Sequence, residues 1–418
     1  MVVGILVWVL AVFASTFVAK ENFWLFLLMR SVCGIGEATS AVVSPTIIGD
    51  MYIGKARSWM LMLFYMVSPL GNGIGYIVGS QLARQLGGWQ WGMRLTPLFG
   101  VASVILIVLF VFEPERGLNE SSNSTGKEDI GNAPLKVKIK TCTYTFSTIA
   151  DTCIDFVMGT LAWWVPTAIQ HAKAHEMKLN STSLLDENDK ANIAIYFGIV
   201  TIAGGIVGVI MGSALSTLLR SGKLCFKCCQ TKRSDPIICA LGALIATPFL
   251  FGGLQLIKVS VEASYIFMFV AITGLCFSWA INADLRMTII VPWRRNSANA
   301  WEYLISHFFP GPYLVGLLSD RIRLSNSPGD SFDALLYAFY IPSALCGISA
   351  LFFIIAATTV LRDQARFRVE IGIHDGISSE KDVGTKENAN NNYELEEATY
   401  ENKTFKTTEI SSGESNVI

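Results

Sequence analysis

Charge is what this sequence has least of. Only 16% of its 418 residues are Asp, Glu, Lys or Arg, against about 25% in a soluble domain, too few to cover a water-facing surface. The charges nearly cancel, to a net −1 at pH 7, and no basic patch with interleaved aromatics occurs, so nothing points to nucleic acid. A secreted disulfide framework is lacking as well, because the nine cysteines are scattered through apolar segments without regular spacing. Cys225-Phe226-Lys227-Cys228-Cys229 has C-x-x-C spacing, but no second ligand pair follows, which argues against zinc. Its basic neighbours suit reversible palmitoylation better, with unmodified thiols as the default. Neither a His/Asp cluster with metal spacing nor a G-x-S-x-G nucleophile elbow stands out. An enzyme is therefore not expected, and no cofactor or metal is called for. Met1 leads straight into an apolar run with no positive segment ahead of it, which argues against a cleavable signal peptide.

Apolar residues are abundant, at 52% of the chain with a mean hydropathy of +0.46, and they come in blocks. A bilayer core of roughly 30 Å needs about 20 apolar residues per helix. Reading the blocks against charged breaks predicts ten spans at 1–18, 23–49, 58–86, 92–112, 143–168, 191–219, 236–257, 262–292, 298–319 and 333–361. This is an all-α membrane protein divided into four spans and then six. The predicted organisation is an N-terminal lobe at 1–112, a polar connection at 113–140, a six-helix C-terminal lobe at 141–361, and a disordered tail at 362–418.

Lys and Arg fall unequally on the two sets of connections. The richer set holds Lys55 and Arg57, the 113–140 loop, the 220–233 connection, Arg294 and Arg295, and the start of the tail. It carries seventeen cations against nine on the other side and is assigned to the cytosol. Of the Asn-x-Ser/Thr tripeptides at Asn119, Asn123, Asn180 and Asn402, only Asn180 then falls on the non-cytosolic side, as the glycosylation candidate.

Charges inside spans cost about 2.5–3.5 kcal/mol at a helix centre and are functional candidates, with structural pairing as the competing account. Arg30 and Glu37 lie nearly two turns apart on one face of the second span, able to bracket a polar cavity or to lock the helix to its neighbours. Asp151 and Asp155 share a face of the fifth span. Two close carboxylates resist joint ionisation, as a proton-carrying site requires, and a hydrated interfacial pair is the alternative. Asp284 and Arg286 point to different sides of the eighth span, and His307 is the His embedded in an apolar segment. Gly71, Gly75 and Gly79, following Pro69, form a strip for close helix packing or a hinge, and the sixth span repeats the device with Gly204, Gly205, Gly208 and Gly212.

Several stretches together resemble the Spinster family of the major facilitator superfamily: ENFWLFLLMRSVCGIGEATSAVVSPTIIGDMY, YMVSPLGNGIGYIVGS with GGWQWGMRLTP, GTLAWWVP, and WAINADLRMTIIVPWRRNSANAWEYLISH with PYLVGLLSD. The resemblance implies a two-lobed, twelve-helix alternating-access carrier of lysophospholipids or sphingoid lipids, such as sphingosine 1-phosphate. It implies a late endosomal, lysosomal or cell-surface membrane, and proton coupling, which is proposed for some members. It places Arg30 and Glu37 at the family's charged pair and Asp284 at a matching acidic position, so the expected substrate or proton-coupling residues are Arg30, Glu37, Asp284 and Asp155. The expected partners are a lipid substrate, the membrane and protons. The chain begins where the family's third helix begins, which implies an N-terminal lobe without the first two helices. Between His307 and Pro310 it is shorter than the family pattern. A second reading is a non-transporting isoform or incomplete gene model that associates with full-length carriers.

Overall fold

The computed structural model describes residues 1–19, 21–111, 141–222, 230–309, 311–325 and 327–370. The expected inter-lobe loop at 113–140, the Cys225–Cys229 motif, and Asn119, Asn123 and Asn402 lie outside them. The described residues are helical throughout. The first four helices are α1 (Val2–Ser15), α2 (Phe23–Met51), α3 (Gly54–Leu86) and α4 (Trp89–Phe110). The rest are α5 (Cys142–Glu176), α6 (Glu187–Ser221), α7 (Ser234–Leu256), α8 (Val261–Leu275), α9 (Phe277–Ile289), α10 (Arg295–Phe308), α11 (Gly311–Ile322), α12 (Pro328–Ala338) and α13 (Tyr340–Glu370).

Among the described residues, eight segments are long and apolar enough to cross a membrane, counting α8 with α9 and α12 with α13 as one each, and α1 is a shorter apolar helix of 14 residues. This is an integral, multi-pass membrane protein. The expected ninth span at 298–319 comprises two short helices, α10 and α11, separated between Phe308 and Gly311. Pro310-Gly311-Pro312 puts two residues without a backbone donor into three positions, which a continuous helix does not tolerate. The expectation of a tail from 362 is corrected for 362–370, which continue α13, while 371–418 lie outside the described residues. That extension has a role. Asp363, buried on α13, accepts the Thr143 N–H at 2.8 Å and so caps α5 from a neighbouring helix.

One contiguous apolar core runs through α5–α9 and α11–α13, from Ala150 to Phe353. The first four helices have a small cluster of their own, Ala11, Val12 and Cys33, and Met62 of α3 joins another with Val209, Ile272, Cys276 and Ala280 of the later helices. They are joined to the rest along α3 and α6. A Cβ on Gly73 of α3 would lie 2.2 Å from Ile202 and 2.5 Å from the Gly198 carbonyl, and one on Gly205 of α6 would lie 2.1 Å from Pro69. Glycine here lets two helices approach at backbone distance. The strip expected at Gly71, Gly75 and Gly79 is therefore offset. Added Cβ atoms at all three meet nothing within 4 Å, and Gly79 instead offers its backbone to Gly92 of α4, whose Cβ would come within 3.1 Å. The other glycines of α6 pack as the sequence suggests, Gly204 and Gly208 against carbonyls of α8 and Gly212 against Phe277 of α9.

Candidate functional site

A cavity of about 970 Å³ lies between the first four helices and the rest. Its floor is built where the end of α2 and the start of α3 meet α9 and α10, the end assigned to the cytosol. Thr46 of α2 accepts a hydrogen bond from Asn299 of α10 at 3.1 Å. One turn further, Asp50 faces Arg295 at 3.8 Å, and Arg57 of α3 pairs with Asp284 of α9 at 2.8 Å while Ser58 donates to the same carboxylate. Arg295 is fully buried because its guanidinium also donates to the carbonyls of Met287 (2.7 Å) and Ile290 (3.2 Å), satisfying the open C-terminal end of α9. The floor is thus a stack of polar contacts, of which Thr46–Asn299, Asp50–Arg295 and the Arg57–Asp284–Ser58 group link one half of the molecule to the other.

The cavity wall carries the ionisable side chains. Glu37 enters from α2, Asp151 and Asp155 from α5, Arg286 from α9, and Glu302 and His307 from α10. Their spacing follows from helix geometry: Asp151 and Asp155 on one side, and Glu302 and His307 on the other, are four or five residues apart and so project inward together. Arg286 Nη1 lies 3.4 Å from Glu302 and 3.6 Å from Asp151, and Asn282 donates to Asp151 at 2.7 Å. The Asp151 and Glu302 carboxyl groups are within hydrogen-bond reach of each other, and Ser306 reaches Asp155. His307 Nδ1 contacts the Ser306 hydroxyl at 2.8 Å, and its ring stacks on Tyr303 at 4.0 Å. Aromatic faces complete the wall: Phe64, Tyr65, Trp163, Phe197, Trp279 and Tyr303. Polar groups at one place and aromatic surface elsewhere suit an amphiphile.

Of the residues expected at the site, Glu37 and Asp155 line the cavity. Arg30 and Asp284 do not. Arg30 turns away from Glu37: its Nη2 meets the Met93 sulfur of α4 at 2.8 Å and its guanidinium lies 5.3 Å from the Phe26 ring centroid. The shared helical face places the two Cα atoms together, but a long Arg side chain reaches a neighbouring helix instead. Asp284 serves the floor. Pro69 is buried against Gly205, in the seam rather than in the cavity. Asn180 is exposed in the connection between α5 and α6. Glu302, Arg57, Asp50 and Arg295 went unselected in the sequence. Glu302 had a signal, a carboxylate in a helix otherwise flanked by Trp301, Tyr303, Leu304 and Ile305; the floor residues read only as loop charges. Among the described residues no group of His, Cys, Asp and Glu could hold a metal ion.

The Major Facilitator Superfamily model matches residues 1–301. The chain is 34% identical over 377 residues to protein spinster homolog 1 of Rattus norvegicus, covering 88% of this chain and 69% of that protein. It is 31% identical over 369 residues to protein spinster homolog 3 of Danio rerio, covering 87% and 72%. It is 32% identical over 368 residues to the sphingosine-1-phosphate transporter of Danio rerio, covering 86% and 71%. Among solved structures, a bacterial homologue of the human lysosomal transporter Spinster, inward-facing and occupied, superposes with TM-score 0.53 at 16% identity, covering 88% of this chain and 82% of that one. A proton:xylose symporter superposes with TM-score 0.57 at 14% identity, covering 85% and 78%. At those identities the structures speak to the fold alone.

Proposed function

The chain belongs to the Spinster family of the major facilitator superfamily and is a transporter of that type, and from this premise we propose that it carries a lysophospholipid or sphingoid lipid by alternating access. The observation that carries the reading is the cavity between the two halves, polar and charged at the Glu37–Asp155–Glu302 region and aromatic elsewhere. Such a carrier rocks one half against the other around a central site. The floor contacts that cross the two halves, Thr46–Asn299, Asp50–Arg295 and Arg57–Asp284, can open together. Asp284 and Arg57 belong to this gate, and Glu37 and Asp155 to the cargo or proton chemistry of the cavity.

Uptake into proteoliposomes tests the reading. Labelled lysophosphatidylcholine, lysophosphatidylethanolamine, sphingosine and sphingosine 1-phosphate are supplied with and without a pH gradient. Saturable uptake of at least one above empty liposomes is expected, and acceleration by the gradient supports proton coupling. Uptake of none of them, by protein shown to be folded, overturns the carrier reading.

A further inference from the structure

Alternation between two sides of a membrane needs a closure at each end of the cavity, and the floor is one of them. At the opposite end, among the described residues, the last side chains of α3, α5 and α6 to line the cavity are Tyr76, Trp163 and Phe197. Here α5 carries the stretch GTLAWWVP, with Pro166 inside the helix. Proline has no backbone N–H, so the carbonyl four residues back, that of Ala162, has no donor from Pro166 within α5. Inside a membrane a carbonyl freed in this way is met by a neighbouring side chain or by ordered water. The Tyr76 hydroxyl of α3 donates to it, across the boundary between the halves.

We propose that the Tyr76 hydroxyl and the Ala162 carbonyl form a latch that holds the cavity shut at the end opposite the floor, with Pro166 supplying the acceptor; this rests on the carrier reading above. Tyr76 is held in place for it. The seam at Gly73 sets α3 against α6, and the Tyr76 ring meets the Phe197 ring edge-on, with centroids 5.3 Å apart and planes at 83°. On the other side, α5 is fastened within the later helices. Trp164 Nε1 donates to the Pro312 carbonyl of α11 at 2.7 Å, and a Cβ on Gly316 would lie 2.6 Å from the Trp164 ring. The Tyr76 bond is therefore where this stretch of α5 takes hold of the first four helices. Arg84 also reaches across, to Asn188 at 2.9 Å, but at an exposed position where water competes for both groups. A carbonyl freed by proline suits a contact that must open. While the end is dry it needs the tyrosine, and once water enters, both groups are hydrated and neither is left buried and unpaired.

Two cysteine reporters separate the two ends. Thr201 lines the cavity on α6, one turn nearer the floor than Phe197, and is buried; Thr46 lies buried in the floor itself. Thr201→Cys and Thr46→Cys are introduced one at a time into the full chain in nanodiscs, where a membrane-impermeant maleimide reaches both faces. Labelling rates are taken above those of the chain without the added cysteine, with no transported lipid supplied. Tyr76→Phe keeps the ring on Phe197 and removes the hydroxyl. It should speed labelling at Thr201→Cys about fivefold, the scale of one neutral hydrogen bond, and leave Thr46→Cys as slow as before, which also shows that the variant is folded. Pro166→Ala restores a backbone N–H to α5 at the position that serves the Ala162 carbonyl, so in that background Tyr76→Phe should change Thr201→Cys labelling less than about twofold. Unchanged labelling at Thr201→Cys, an equal rise at both reporters, or a full effect of Tyr76→Phe in the Pro166→Ala background overturns the latch. Because these rates need no cargo, such a result leaves the carrier reading to the uptake assay, and absence of uptake leaves the latch to these rates.

Discussion

Among the described residues, the first four helices and the later ones are built differently. In the most apolar stretch of each span, only 11% of residues in α2 and α4 and 22% in α3 are buried inside the protein, against 50% in α5 and α7 and 72% in α8–α9. The later helices own a continuous core. The earlier ones hold together through a small cluster and through their attachments to the later ones: the glycine seam of α3 on α6, the Met62 cluster beside it, and the polar floor joining α2 and α3 to α9 and α10. One region is therefore stable through its own packing, and the other is positioned largely through what it touches in the first. A carrier needs such an arrangement if its halves are to move as bodies, with the contacts that switch concentrated at the boundary.

The largest expected effect is at the floor. Arg57 and Asp284 are 7% and 6% exposed and 2.8 Å apart. Asp284→Asn takes from the buried Arg57 guanidinium its carboxylate partner at 2.8 Å, a change that costs on the order of 3 kcal/mol. The cost falls on the closed floor, so opening at that end becomes easier. A cysteine placed at Thr46 should react with a membrane-impermeant maleimide much faster in the Asp284→Asn background. Unchanged labelling would show that the floor is held by other contacts. The seam comes next. Gly73→Ala forces a methyl into Ile202 and the Gly198 carbonyl, and overpacking of this kind costs about 1–3 kcal/mol. Its melting temperature in detergent should fall clearly, and no change would mean that α3 is not held by α6 as described. Within the later region, Asp363→Ala removes the side chain that caps α5 at Thr143, worth about 0.5–2 kcal/mol. A fall in melting temperature with transport retained is expected, since the cap lies away from the cavity.

Much of this architecture was legible in the sequence because a lipid-facing helix must be long and apolar, and each such run declares itself. The break within the ninth span was not read, because apolar content continues across Pro310-Gly311-Pro312 while the helix does not. At the site, Glu37 and Asp155 were legible as charges inside apolar runs, since charge there needs a cavity or a partner. What a single sequence does not contain is the identity of the partner. Arg30 reads as a companion of Glu37 from helix geometry alone, yet its side chain ends at Met93 of α4. Asp284 reads as a coupling residue, yet its partner Arg57 lies 227 positions away in the chain. The glycine strip was placed on the right helix, with Gly79 meeting Gly92 of α4, but the position that meets α6 is Gly73, because Gly71, Gly73 and Gly75 are close in sequence and only packing tells which one a neighbour touches.

That last distinction yields the smallest effect, and the cleanest one. Gly71 and Gly75 are exposed on either side of the buried Gly73, and a Cβ at either position meets nothing within 4 Å. A helix-interior glycine costs roughly 0.5–1 kcal/mol relative to alanine, so where there is room the substitution should return some of that. Gly71→Ala and Gly75→Ala are therefore expected to raise the melting temperature slightly or leave it alone, opposite in sign to Gly73→Ala two residues away. Transport adds a second reading. If Gly71 or Gly75 acts as a hinge, alanine slows uptake even as it stabilises the protein; if the seam at Gly73 is what matters, uptake persists. Equal destabilisation by all three alanines would mean that the whole strip is packed, and would erase the offset on which the boundary between the two regions depends.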